Sequence, residues 1–286
     1  MATIPFQLFA PETRTTGVVF ASPHSGRDYP AELMQATVLD ALAIRSSEDA
    51  FVDLLFDSAP REGAPLLTAT APRAYLDLNR AADELDPALI EGVRRGGHNP
   101  RVASGLGVVP RVVAGGRAIY RGKLGLDVAR RRIDDVWRPY HETLERLLHE
   151  SQAGFGTALL VDCHSMPHEA IESLSRDRRG MPDVVLGDRF GVAASAGIMD
   201  AVEAVFAAEG LRVARNAPFA GAFITQHYGR PARGRHVVQV EIDRALYMDE
   251  ERVAPRPDFA AFKAVIDRVV AGIAAIGRAD LQVAAE

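Results

Sequence analysis

The sequence predicts an α/β fold built on a mostly parallel sheet covered on both sides. Three observations lead there: short valine- and leucine-rich runs of strand length, helical stripes between them, and an ordinary globular composition. Of 286 residues, 48% are apolar and 25% charged, within the usual range for a folded soluble chain. At this length a large core forms without a disulfide or metal staple, and one domain over residues 1–286 is expected, with no repeat, low-complexity stretch or linker to divide it.

Strands are expected at residues 17–21, 65–70, 74–78, 157–161, 183–187 and 237–242, several buried on both faces. Between them, Ile133, Val136, Trp137, Tyr140, Leu144, Leu147 and Leu148 recur at three- and four-residue spacing and mark a helix over 127–150. Pro139 inside it predicts a kink. Phe259, Phe262, Val265, Ile266, Val269, Val270 and Ile273 form the face of a last helix, and 199–209 and 50–58 are shorter helix candidates. The Gly- and Arg-rich stretch 91–117 is the most loop-like region, either an active-site cover or a surface excursion. Alternating strands and helices imply the layered α/β class, whose ligands collect beyond the carboxyl ends of the strands.

Charge and targeting narrow the function classes. Thirty-three basic residues face 38 acidic ones, a net charge of −5, without a basic block, so nucleic acid is not an expected partner. The single cysteine, Cys163, excludes an intramolecular disulfide and an all-cysteine zinc site. Residues 1–10 lack the pattern of a signal peptide, and no run of 18 apolar residues predicts a membrane span. A cytoplasmic protein acting on small molecules is the expectation.

Candidate chemistry lies at the strand ends. Ser22-Pro23-His24-Ser25-Gly26 follows the first apolar run, and Asp162-Cys163-His164-Ser165-Met166-Pro167 follows residues 157–161. Two histidines in equivalent places suit imidazole ligation of a metal, although a lone histidine is more often structural. Glu48 and Asp49 offer a carboxylate ligand, or alternatively cap the helix that follows. Asn79 and Arg80 close another apolar run, where the arginine fork can take a carboxylate or merely a surface ion pair. In the strand 235–244, Val237, Gln239 and Glu241 share one face. A glutamate there needs a partner or a task; desolvation would suit it to general base catalysis, and an ion pair with Arg244 or another arginine is the alternative.

Other chemistries are poorly served. Gly105-Leu106-Gly107 lacks the remainder of a dinucleotide fingerprint, and no G-x-S-x-G elbow surrounds Ser165. Cys163 and His164, adjacent on a strand, point to opposite faces, so a buried inert thiol is expected.

Together these motifs resemble the N-formylglutamate amidohydrolase (N-formylglutamate deformylase) family. The matching stretches include Ser22-Pro-His-Ser-Gly-Arg-Asp-Tyr-Pro30, Ser47-Glu-Asp-Ala-Phe-Val-Asp53, Asp77-Leu-Asn-Arg80, Arg138-Pro-Tyr-His141, Asp162-Cys-His-Ser-Met-Pro167, Gln226-His-Tyr-Gly-Arg-Pro231 and Gln239-Val-Glu-Ile-Asp-Arg-Ala-Leu-Tyr-Met248, in order through most of the chain. The resemblance implies a three-layer α/β/α sandwich around a mixed sheet, similar to the zinc carboxypeptidases. It implies one divalent metal, zinc first, on His24, Asp49 and His164, with Asp49 preferred to Glu48. Arg27 stands where the carboxypeptidase pattern has its ligand glutamate.

By the same resemblance Glu241 is the general base, Asn79 and Arg80 hold the anionic end of a small N-acyl amino acid, and Arg80 shares the developing oxyanion. Arg121, Arg230 and Arg244 are candidates for a second substrate carboxylate. The implied reaction releases formate and glutamate, closing one route of histidine degradation. A related metal amidohydrolase with another acyl substrate, and a non-catalytic metal- or carboxylate-binding protein, are the alternatives. Cobalt, nickel and iron suit the same ligands.

Overall fold

The computed structural model describes residues 5–94, 99–172 and 180–283, with side chains described through residue 278. Strands β1 (Phe6–Phe9), β2 (Val18–Ser22), β3 (Leu66–Ala69), β4 (Ala158–Met166), β5 (Val184–Gly187), β6 (Val213–Arg215) and β7 (Arg235–Asp243) form one sheet in the order β1-β3-β2-β4-β7-β5-β6. The helices are α1 (Ala31–Ala36), α2 (Val52–Leu55), α3 (Pro100–Ala103), α4 (Leu126–Arg132), α5 (Arg138–Phe155), α6 (Glu169–Glu172), α7 (Ala196–Ala208), α8 (Phe223–Tyr228) and α9 (Phe259–Val283). β2, β4 and β7 run parallel and β5 lies antiparallel to β7, so the sheet is mixed, as expected of this α/β fold. Among the described residues no helix is long and apolar enough to cross a membrane.

The chain divides into two compact units. One comprises Met1–Gln7, Pro23–Ala50 and Thr68–Thr143; the other comprises Leu8–Ser22, Phe51–Leu67 and Leu144–Glu286. The second holds the centre of the sheet. Every residue of β2, β4 and β5 is buried, which explains why they read as continuous apolar runs instead of alternating ones. α9 packs on α7 and β2 through its predicted face, in which Ile266, Val269, Val270 and Ile273 are buried.

Several expectations are corrected. Residues 74–78 form no strand. The Tyr75 and Leu76 amides turn back to the Pro72 carbonyl, and the Asp77 amide donates to Val108. Ala74, Leu76 and Leu78 are nonetheless buried, so the apolar alternation reported burial without a ladder. The helix expected over 50–58 is the single turn α2, entered through Phe51 at φ 67°. The long helix is not simply kinked at Pro139: a π turn over Ile133–Trp137, closed by the Arg138 amide on the Ile133 carbonyl, precedes it. Such a wide turn accommodates a proline that cannot donate within the helix. Residues 95–98 of the loop-like stretch lie outside the described residues.

Candidate active site

In the first unit His24 lies just past the end of β2. Two residues on, Gly26 lets the backbone pass close to Ala71, because a Cβ there would stand 2.1 Å from the Ala71 carbonyl oxygen. His24 is buried, its Nδ1 is 3.4 Å from Asp49 Oδ2, and its Nε2 is 2.7 Å from Asp77 Oδ1. Since a carboxylate accepts, Nε2 donates to Asp77, and Nδ1 is the nitrogen that faces Asp49. Metal-ligating histidines are commonly held this way, with the far nitrogen donating to a carboxylate.

Asp77 is the hub of this arrangement. It also accepts from the Asn79 amide at 2.8 Å and Arg73 Nε at 3.1 Å. Burial alone would raise its pKa, but the charges of Arg73, His24 and Arg80 outweigh burial and hold the carboxyl well below the usual range.

The adjacent carboxylates separate by environment. Glu48 takes Arg45 through two bonds of 3.0 Å and the Tyr29 hydroxyl at 2.5 Å. Burial, then Glu48, pushes the Tyr29 phenol far above its ordinary value, so it remains a donor. Glu48 is thereby committed to the local fold, whereas Asp49 faces His24. The capping alternative fails for both, because the residue capping α2 is Phe51.

Asn79 and Arg80 are buried rather than surface groups. Arg80 donates from Nε to Leu106 O at 2.9 Å and from Nη1 to Asn79 O at 2.8 Å. These bonds do not use Nη2. Burial lowers the Arg80 pKa, partly offset by Asp77; the group stays cationic.

In the second unit His164 sits within β4, which runs five residues beyond the predicted run, to Met166. On parallel β7 its register partner is Glu241, with Asp162 opposite Gln239. Partners in register project from the same face, so His164 and Glu241 stand side by side on backbones about 4.8 Å apart. Each has a same-strand neighbour two residues earlier: His164 Nε2 lies 3.0 Å from Asp162 Oδ1, and Gln239 Nε2 donates to Glu241 Oε1 at 2.8 Å. Cys163 points to the other face. Burial, with the Asp162 charge, pushes its thiol well above the ordinary value.

The three arginines proposed for a second carboxylate part company. Arg244, buried directly after β7, donates from Nε to Ser165 at 3.2 Å and lies 3.9 Å from Glu250. Arg230 is exposed and bridges to Arg235 at the opposite end of β7 from Glu241, about 20 Å away at 3.3 Å per residue. Arg121 is exposed. Of the three, only Arg244 is at the His164 end of its unit. Sequence reasoning missed Asp77, Asp162 and Gln239 as supports; the i, i+2 spacing of Asp162 to His164 and of Gln239 to Glu241 on strands was the signal.

His24 and Asp49 of the first unit and His164 of the second are all buried and offer two imidazoles and one carboxylate, donor types that suit a divalent metal. An α/β fold with buried histidines near carboxylates and a glutamate beside one of them suits hydrolytic chemistry, and comparison with known proteins adds a family. The model of the N-formylglutamate amidohydrolase family matches residues 16–248. The chain is 32% identical over 267 residues to N-formylglutamate deformylase of Pseudomonas aeruginosa, covering 91% of this chain and 94% of that one. It is 30% identical to the Pseudomonas putida protein of that name, covering 85% and 86%. The crystal structure of N-formylglutamate amidohydrolase from Ralstonia eutropha superposes with a TM-score of 0.89 at 36% identity, covering 96% of this chain and 99% of that chain. The chain belongs to the N-formylglutamate amidohydrolase family, whose relatives hydrolyse an amide.

Proposed function

We propose that this chain is a metal-dependent N-formylglutamate deformylase, a single amidohydrolase domain over 1–286, in which His24, Asp49 and His164 hold one divalent ion, zinc by preference. The observation that carries the reading is the pairing of His164 with Glu241 in adjacent parallel strands, which sets a candidate base beside a candidate ligand. The names of the relatives supply the substrate.

A divalent ion held there would supply a water of pKa lowered to about 7 and polarisation of the scissile carbonyl. Glu241 takes a proton from the attacking water and returns it to the departing amine. Gln239 holds one oxygen of that carboxylate, fixing the direction of the other. Asp77 orients His24. Asn79 and Arg80 bind the anionic end of the substrate, Arg80 through the end of its guanidinium, and Arg244 is the candidate for a second carboxylate. Formate and glutamate result, which would close a route of histidine degradation in the cytoplasm.

The test is formate release by the metal-loaded protein from a panel of N-formyl and N-acetyl amino acids. N-formylglutamate is expected to give the highest kcat/KM. A preference for another acyl group would move the assignment to a related amidohydrolase, and absence of turnover on all of them would leave a binding protein.

A further inference from the structure

The segment from Asp77 to Arg80 belongs to no strand or helix, so no ladder directs its carbonyls. Side chains from one helical stretch direct them instead. Trp137 Nε1 donates to the Arg80 carbonyl at 2.8 Å, and His141 Nε2 lies 2.9 Å from the Leu78 carbonyl. A carbonyl only accepts, so Nε2 of His141 carries the hydrogen. The two rings pack together, centroids 4.0 Å apart, with Tyr140 edge-on to His141 at 5.4 Å. The carbonyl between them, that of Asn79, is taken by Arg80 itself. Three successive carbonyls are thus occupied, two of them by residues four apart on one helical stretch.

The π turn supplies the phase. It ends at Trp137, and its i to i+5 closure between Ile133 and Arg138 inserts one residue. In an α-helix one residue is about 100° of rotation. Without that insertion, the residues after the turn would be rotated by that amount relative to α4, and the two donors could not both meet the Leu78 and Arg80 carbonyls while α4 kept its packing. π turns often occur where a helix serves a site.

We propose that Trp137 and His141, phased by the π turn, are positioning residues that clamp the Arg80 backbone and thereby set the affinity for the substrate carboxylate. The inference rests on the reading of Arg80 as the carboxylate-binding group. It assigns the clamp an effect on KM, because the clamp moves a binding group and touches none of the reacting atoms.

Steady-state kinetics of the metal-loaded protein test it. Trp137→Phe keeps the stacked ring and loses the donor; KM for N-formylglutamate should rise about three- to tenfold, the scale of one lost neutral hydrogen bond, with little change in kcat. His141→Leu should behave alike, and His141→Gln, which retains a donor, should recover most of that loss. In an Arg80→Ala background Trp137→Phe should add nothing. Trp137 is the only tryptophan, so its emission gives a readout independent of turnover: titration with glutamate should shift it in the wild type and not in Arg80→Ala. An unchanged KM in folded Trp137→Phe, or an equal effect with and without Arg80, overturns the clamp. If Arg80→Ala itself leaves KM unchanged, the reading of Arg80 fails, and the clamp loses its purpose with it.

Discussion

His164 and Glu241 are register partners on parallel strands β4 and β7, and each has a polar neighbour two residues earlier on its own strand: Asp162 Oδ1 lies 3.0 Å from His164 Nε2, and Gln239 donates to Glu241 at 2.8 Å. A proposed ligand and a proposed base on adjacent strands of one sheet are fixed by backbone hydrogen bonds, which hold their separation more rigidly than loops would.

Glu241→Gln should therefore retain metal and lose about 10²- to 10⁴-fold in kcat, the scale of a positioned proton acceptor. Elemental analysis and turnover on the same preparation check this. Loss of metal would show that Glu241 is a ligand, and near-normal kcat that it is not the base.

The two adjacent carboxylates should respond differently. Asp49→Ala is expected to lose the metal. Tyr29→Phe leaves Glu48 bound to Arg45 but removes a bond to a buried carboxylate, so it should cost roughly 1.5–3 kcal/mol of stability with metal content unchanged. Asp77→Asn should weaken metal binding about 10- to 100-fold, measured by competition with a chelator. Full metal content in Asp49→Ala would transfer the ligand role to Glu48.

Arg80 should decide which substrates are accepted. A buried guanidinium with no carboxylate to meet is left with a desolvated charge, so amide and ester analogues of N-formylglutamate should fall behind by orders of magnitude in kcat/KM. Arg80→Lys should recover only part of the activity of the wild type over Arg80→Ala, since lysine keeps the charge and loses the fork. Equal rates on neutral N-formyl amides would remove Arg80 from substrate binding.

Stability should fall on the alkaline side. Burial pushes the Tyr228 phenol far above its ordinary value, and the nearby Glu145 adds to the effect. Unfolded, a tyrosine loses its proton near pH 10. Above that pH the folded chain holds a proton that the unfolded chain has released, so the contribution present below about pH 10 is lost as pH rises, at about 1.4 kcal/mol per unit. Urea midpoints between pH 8 and 11 should decline less steeply in Tyr228→Phe; identical slopes would contradict the shift.

Much of this molecule is legible in its residues. The central strands show as apolar runs because both of their faces are buried, and α5 and α9 show as stripes because one face is. His24, His164 and Glu241 stand out because polar side chains interrupt or end those runs where an apolar residue would be cheaper, whereas Asp49 is preferred to Glu48 only through the family resemblance. The false strand at 74–78 marks the limit of that logic. Periodicity records which side chains are buried and is silent on where the backbone hydrogen bonds go.

What only the tertiary structure decided is pairing between distant segments. Asp49 and Glu48 are equivalent in sequence, and they part only because Arg45 and Tyr29 converge on one while His24 faces the other. Arg230 and Arg244 are equally plausible cations until strand direction puts them at opposite ends of β7. The partnership of His24 with Asp77, 53 residues apart, and of Trp137 with the Arg80 carbonyl, 57 apart, has no local signature. Short-range sequence carries burial and propensity; hydrogen-bond partners are chosen by chain reversals whose geometry depends on the packing of the fold around them.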